Sequence, residues 1–571
     1  MNHLLAAARG GRPADLVIRN ARVANVFTME YEDVDVAVCD GKIAGLGKGY
    51  EGAETFDAGG SVLVPGMIDG HVHIESTMLA PPAFADAVAP HGTTAVMADP
   101  HEIANALGLA GVEYMHRASQ GLPVDVLLGA PSCVPASDFE TPYDELDMFS
   151  VQEMFKNGWC QHLGEMMNFP AIINGDPAVW GKIAASGDVP LTGHAPGVSG
   201  KDLNAYLVSG VSSDHESSEL EEAREKLRRG MWLMIREGAS FPNLRALLPL
   251  LREHPLYFAR CMAVTDDITA LYIKEVGHMD AKVRIMTQEG IDPFIALRLV
   301  TLSPAEYFRL WDRGALAPGR RADMVLVDNM KDFNVLQVWK DGRHTVRDGE
   351  LTETRKDRTP LSLPKSVHVT PPTLEQIQVP VRGPRIRVIG VRQDDIMTHT
   401  LVKPPRVEEG LVVSDPENDI AKIVVLERHR NTGRLAVGFV SGLGIKRGAI
   451  ASSVAHDAHN FVAAGMDDRS IVAALTQLCG TGGGLTVAED GRVRDTLPLP
   501  VGGLMSDQGA EETAGNLAEI EIRAKERVGI RIPHPFMALS FLCLSVIPEL
   551  RITDQGYVDI TKGGIQPLFV R

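Results

Sequence analysis

The chain predicts an α/β protein: a (β/α)8 TIM-type barrel, a small β domain formed by both ends of the barrel region, and a C-terminal α+β domain. Three observations carry this expectation. From residue 61 to about 314, apolar runs suited to buried parallel strands alternate with helical stretches every 20 to 35 residues or roughly so. Eight such units in about 250 residues is what a barrel of this kind requires. The short alternating strands before residue 60 match in style those after residue 315, so the two pieces are expected to pair beside the barrel.

Taken in order, "DLVIRNARVANVF" and "DVDVAVCDGKIAGLG" read as strands joined by D-G turns, giving residues 1–60 to the small β domain. The barrel spans 61–314, its strands ending near Asp69, Asp99, Ser132, Gly164, Gly193, Ser213, Ile235 and Val264. "GALAPGRRADMVLVD" opens the second β piece, residues 315–350. Residues 351–385, rich in Pro, Thr and charge, read as a linker or connecting arm. Residues 386–571 mix strands ("IAKIVVLERH", "GRLAVGFVSG") with helices ("MDDRSIVAALTQLC", "AGNLAEIEIRAKERVG") and form the third unit.

Composition narrows the function. The 571 residues, 44% apolar and 23% charged, are those of a water-soluble chain of two or three domains. A net charge of −18 with no basic patch argues against nucleic acid as a partner. No 18-residue apolar run exists for a membrane span, and the N-terminus lacks a secretory apolar core. The six cysteines form no C-x-x-C pair, which fits reduced thiols in a cytoplasm and excludes zinc ribbons.

Catalytic groups of a barrel sit at the C-terminal ends of its strands. "GMIDGHVHIEST" (66–77) places His71 and His73 one residue apart on one face of the first strand. The other ends supply Asp99, His101 and Glu102; Glu165; His194; Asp214, His215 and Glu216; Arg236 and Glu237; Asp266 and Asp267. Any one of these could be a helix cap or a satisfied core residue, but their recurrence at successive strand ends is not accidental. Histidines and carboxylates without thiolates suit zinc, manganese or iron in a catalytic site. Two close ions need a bridging anion, and Glu165 on the fourth strand is placed to supply it. A water between two such ions ionises near neutral pH and attacks an sp² carbon in an amide, cyclic amide or amidine. No P-loop motif competes, and Gly-rich "CGTGGGLTV" follows a helical stretch, which weakens a phosphate-cradle reading.

These residues resemble the amidohydrolase superfamily and, more narrowly, its microbial adenine deaminases. The likeness rests on "GMIDGHVHIEST", "ADPHEIANALG" (98–108), "GEMMNFPAIINGDP" (164–177) and "GHAPGVSGKDLNAYLVSGVSSDHE" (193–216) in the barrel. In the last domain it rests on "RGAIASSVAHDAHNF" (447–461) and "LPVGGLMSD" (499–507). The resemblance implies hydrolysis of free adenine to hypoxanthine and ammonia by two divalent ions, manganese foremost, with iron or zinc as alternatives. It implies His71, His73 and Asp266 on one ion, His194 and His215 on the other, and Glu165 between them. Asp266 is the implied proton acceptor from the bridging water. For the proton donor at N1 the candidates are Glu75 and Glu102, with orientation of His71 or His73 as the competing role for Glu75. Arg236, Ser132 and Asp214 are the candidates for binding the purine edge. Barrels of this superfamily often self-associate, so a homo-oligomer is expected. Two other readings stay open: a cyclic amidohydrolase opening an imide or dihydropyrimidine ring, and a metal-binding scaffold without catalysis. The zinc base-flipping deaminases use H-x-E with P-C-x-x-C, a pairing absent here.

Overall fold

The computed structural model describes residues 2–239, 242–254, 256–353, 362–392 and 397–570. Its centre is a barrel of parallel strands: β1 (Met67–His73), β2 (Thr93–Ala98), β3 (Asp125–Ala130), β4 (Cys160–Met166), β5 (Leu191–Gly193), β6 (Ser213–Asp214), β7 (Trp232–Arg236) and β8 (Cys261–Val264). Ladders join β1 through β5 in order, and β6 through β8. After Thr265 the chain pairs again at Asp266–Asp267, now with Val72 and His73, and this closes the barrel onto β1. Between β5 and β6 the ladder is replaced by single bonds: Ser212 N–H donates to the Leu191 carbonyl at 3.2 Å, and Gly193 N–H to the Ser213 hydroxyl at 3.3 Å. Apart from β3, whose first three residues are half-buried, the barrel strands are buried along nearly their whole length, as parallel strands covered by helices must be.

β1 runs on to His73, so both histidines belong to the strand, not to the loop after Asp69. The extension exists because Val72 and His73 have partners in Asp266 and Asp267.

The strand Val62–Pro65 lies between Ala14–Asn25 on one side and Met324–Val327 on the other, within a nine-stranded sheet. Leu16, Ile18, Val23, Leu63, Met324 and Trp339 fill a core of its own. A second nine-stranded sheet forms the C-terminal unit around the strand Ile420–Leu426. Strand alternation divides that segment's side chains. Val424 and Leu426 pack with Ile471, Leu475 and Leu478 of the helix Asp468–Thr481, whereas Ile423 and Val425 join the apolar core continuous with the barrel.

The segment expected as a linker falls partly on residues 354–361, which lie outside the described residues. The rest of it is an arm held against the C-terminal sheet: Val367 and Ile377 are buried there, and His368 N–H donates to the Arg428 carbonyl. Among the described residues no helix is long and apolar enough to cross a membrane.

Candidate active site

β1 sends both imidazoles to the barrel axis, where His71 Nε2 and His73 Nε2 stand 3.2 and 3.1 Å from Asp266 Oδ1. Asp266 holds a left-handed backbone, φ 59°, which an aspartate tolerates better than most residues and which turns its carboxylate inward after β8. Its other oxygen accepts from Arg236 Nη1 at 2.8 Å, and the same Nη1 donates to Glu216 Oε1 at 2.6 Å.

Glu165, from β4, lies between two histidine pairs. Its Oε1 is 3.3 Å from His73 Nε2 and 3.9 Å from His71 Nε2. Its Oε2 is 3.0 Å from His194 Nδ1 and 3.3 Å from His215 Nε2. Burial alone would raise the Glu165 carboxyl; the charge of His215 and hydrogen bonds from His194, His215 and His73 outweigh it and hold Glu165 well below the usual carboxylate range. Asp266 is held low in the same way, burial being outweighed by His71, His73 and Arg236.

Neighbours fix these side chains. Asp99 Oδ2 accepts the Glu165 N–H at 2.7 Å, and the Asp99 carbonyl lies 3.2 Å from His73 Nδ1, which turns Nε2 to the centre. The Tyr206 hydroxyl accepts the His194 N–H and itself donates to the Met166 carbonyl.

His71 Nε2 is buried with no hydrogen-bond partner. Four imidazoles and two carboxylates converge with their ligand atoms facing one another, in groups whose atoms lie within 4.8 Å. Such a set, with bridging oxygens and no sulfur, fits divalent cations.

Above this floor is a cavity lined by both the barrel and the C-terminal unit. Glu102, Glu216, Arg236 and Asp267 face it from the barrel, together with His101 and Met167. The C-terminal unit supplies the opposite wall: His456, Asp457, Phe541, Leu544 and Ile547. The His456 ring is stacked on Phe541 with centroids 4.8 Å apart.

The residues expected from the sequence separate here. All six expected ligands meet, and Arg236 and Glu102 line the cavity. Glu75 does not line it: its Oε1 accepts the Ile103 N–H at 3.2 Å beneath Glu102, and burial together with the Glu102 charge raises its carboxyl to about 8. Ser132 also points elsewhere, donating to the Glu165 carbonyl at 2.5 Å. Asp214 is turned away by its own partners, accepting from the Ala195 N–H and from Lys226 Nζ at 2.9 Å. Neither Ser132 nor Asp214 is placed to touch a substrate. Sequence reasoning named no residue of the C-terminal wall. Its one signal was the histidine-rich "AHDAHN", which carries no strand-end logic to assign it.

Residues 62–345 match the amidohydrolase family, and residues 395–563 match the adenine deaminase C-terminal domain. An adenine deaminase from Oleidesulfovibrio alaskensis is 43% identical over 100% of this chain and 99% of its own length. The chain belongs to the adenine deaminase family. A second relative, adenine deaminase 2 of Carboxydothermus hydrogenoformans, is likewise 43% identical over 99% of both chains. The family's two matched regions are the two halves of the cavity: the amidohydrolase part gives the histidine–carboxylate floor, and the adenine deaminase C-terminal domain gives the opposite wall.

Proposed function

We propose that this protein hydrolyses free adenine to hypoxanthine and ammonia. The observation that carries the reading is the Glu165 carboxylate set between two histidine pairs, beneath a cavity walled by the domain that adenine deaminases share. We assign His71, His73 and Asp266 to one divalent ion, His194 and His215 to a second, and Glu165 to both. Manganese is the preferred ion, and iron and zinc satisfy the same donors. When bound, these ions supply Lewis acidity that brings a water toward ionisation near neutral pH.

The chain's own groups do the rest. Attack at the carbon bearing the amine breaks the purine's aromaticity, so the step needs a proton delivered at N1 and another at the departing amine. Asp266, fixed by Arg236, takes the water's proton. Glu102 faces the cavity, with Oε1 3.0 Å from the Ser76 hydroxyl oxygen and Oε2 unpartnered, and donates at N1. Glu75 lies against Glu102 with its own carboxyl raised to about 8, so two buried carboxyls this close hold at least one proton between them near neutral pH. The unpaired state of all six cysteines supports a reducing, cytoplasmic setting, and the same reading includes a homo-oligomer.

The test is ammonia release and the ultraviolet change on adding adenine to protein reconstituted with Mn²⁺, beside His71→Ala. Turnover that disappears in the variant supports the reading. Absence of turnover with two ions bound per chain would overturn it.

A further inference from the structure

We propose that Asp457, from the C-terminal domain, determines substrate specificity by accepting a hydrogen bond from the imidazole N–H of the purine. The inference rests on the adenine reading and goes beyond it by naming how the free base is recognised.

Adenine must place its amine-bearing carbon over Glu165 and Asp266, so its five-membered ring points away from them. Glu102 is near the floor: it groups with His73 and His101, with ligand atoms within 4.8 Å of one another. Asp457 is farther out, beyond the His101 ring. His101 Nδ1 is 3.6 Å from Glu165 Oε1, while Nε2, on the other side of the same ring, is 3.8 Å from Asp457 Oδ1. In the pose we propose, the purine lies alongside the His101 ring and brings its imidazole edge to this wall.

The state of the carboxylate identifies what it lacks. Asp457 is 2% exposed, and its Oδ2 has no hydrogen-bond partner. Its Oδ1 lies 3.7 Å from His456 Nδ1 and 3.8 Å from His101 Nε2, too far for hydrogen bonds. A buried acceptor left in this state costs free energy that a ligand donor recovers. Adenine offers two kinds of donor, the amine and one ring N–H, and the amine is committed to the floor. The apolar neighbours Phe541, Leu544 and Ile547 suit the faces and edge of the ring system. A nucleoside loses this N–H to its sugar and adds bulk where the C-terminal wall stands, so one residue accounts for selection of the base over its nucleoside.

The test uses the metal-loaded full-length enzyme with adenine and with oxazolo[5,4-d]pyrimidin-7-amine, an isostere carrying oxygen in place of N9–H and keeping the nitrogen at the N7 position. Each compound is measured as substrate and, for the isostere, as competitive inhibitor. Wild type is expected to prefer adenine by about 100-fold or more, because a site built to pair a substrate N–H rejects an analogue lacking it. Asp457→Ala should lower kcat/KM for adenine by about 100-fold and leave the isostere within about threefold, so that the preference collapses. Asp457→Leu, which removes the acceptor and keeps nearly the same shape, should give the same collapse with unchanged metal content; it decides the matter if the alanine variant does not fold. Equal losses on both compounds, or no preference in wild type, would overturn the proposal. Wild type that holds two ions and leaves adenine intact overturns the adenine reading instead, without recourse to a variant.

Discussion

Ser76 has one hydroxyl proton and two carboxylates within reach, Glu102 Oε1 at 3.0 Å and Asp267 Oδ1 at 2.5 Å. One proton cannot serve both fully, and His456 Nδ1 stands 3.3 Å from the same Glu102 oxygen. Glu102 is the group that burial and the Asp267 charge push upward, against the opposing pull of His456 and His73. Glu102→Gln should therefore lower kcat by about 100-fold or more with both ions retained, the range expected for loss of a positioned acid. Glu75→Gln should cost less than about tenfold; a reversed order of the two losses, with metal content measured alongside, would exchange their roles. A second residue far from substrate offers a separate test. Lys282 is fully buried, its Nζ has no hydrogen-bond partner, and burial lowers it to about 8 despite Asp69, Glu237 and Asp280. Its unfolded value is near 10.5, so the unfolded chain binds the extra proton between those values. The penalty is complete below pH 8 and fades as pH rises to about 10.5. Lys282→Met should raise stability by up to about 3 kcal/mol at pH 7 and by almost nothing at pH 10.5, as read from denaturation midpoints at both pH values.

At the level of elements, β4 shows how a strand fixes a ligand. A side chain at Gly164 would put its Cβ 2.5 Å from Asp99 Oδ2 and 2.9 Å from the Ala130 carbonyl. Asp99 is the group that accepts the Glu165 N–H, so Gly164→Ala should push the support of Glu165 aside. A 10- to 100-fold or roughly similar fall in kcat/KM is expected, with destabilisation of about 1–3 kcal/mol; an alanine variant with full activity would show that Asp99 does not position Glu165. Strand ends were also the most legible part of the sequence. Apolar runs stop where the chain leaves the barrel, and the expected ends at Gly193 and Val264 coincide with those of β5 and β8. The six proposed ligands each sit at such an end, but strand position also offered His101, Glu102, Glu216 and Asp267, and the family resemblance singled the six out. Ser132 and Asp214 occupy the same positions, yet their side chains turn to a backbone carbonyl and to Lys226. Strand position gives a residue's neighbourhood but not the rotamer that local partners impose. Asp457 showed only as part of "AHDAHN", with no role attached, and Phe541 not at all, because their relation to the cavity depends on packing between domains, which leaves no periodic mark in the chain.

For the whole molecule, the contact between barrel and C-terminal domain is polar as well as apolar. Asp554 is buried and accepts from the Thr141 N–H at 3.1 Å and its hydroxyl at 2.7 Å, while Asn460 Nδ2 donates to the Thr141 carbonyl. One apolar core also runs through both units. They are expected to unfold together, giving one calorimetric transition in wild type. Asp554→Ala combined with Thr141→Val should lower its midpoint and split it; two resolved transitions in wild type would contradict a shared core.

The sheet that joins both ends of the barrel region has a consequence for the chain as it is made. Val62–Pro65 pairs on one side with Ala14–Asn25, already synthesised, and on the other with Met324–Val327. The residues between Pro65 and Met324 must leave the ribosome before that second edge is covered. At 5–20 residues per second this is a delay of roughly 13 to 52 s, during which an apolar strand edge stays open on the nascent chain. The barrel is translated within that interval, so the first strands to emerge are among the last to be completed.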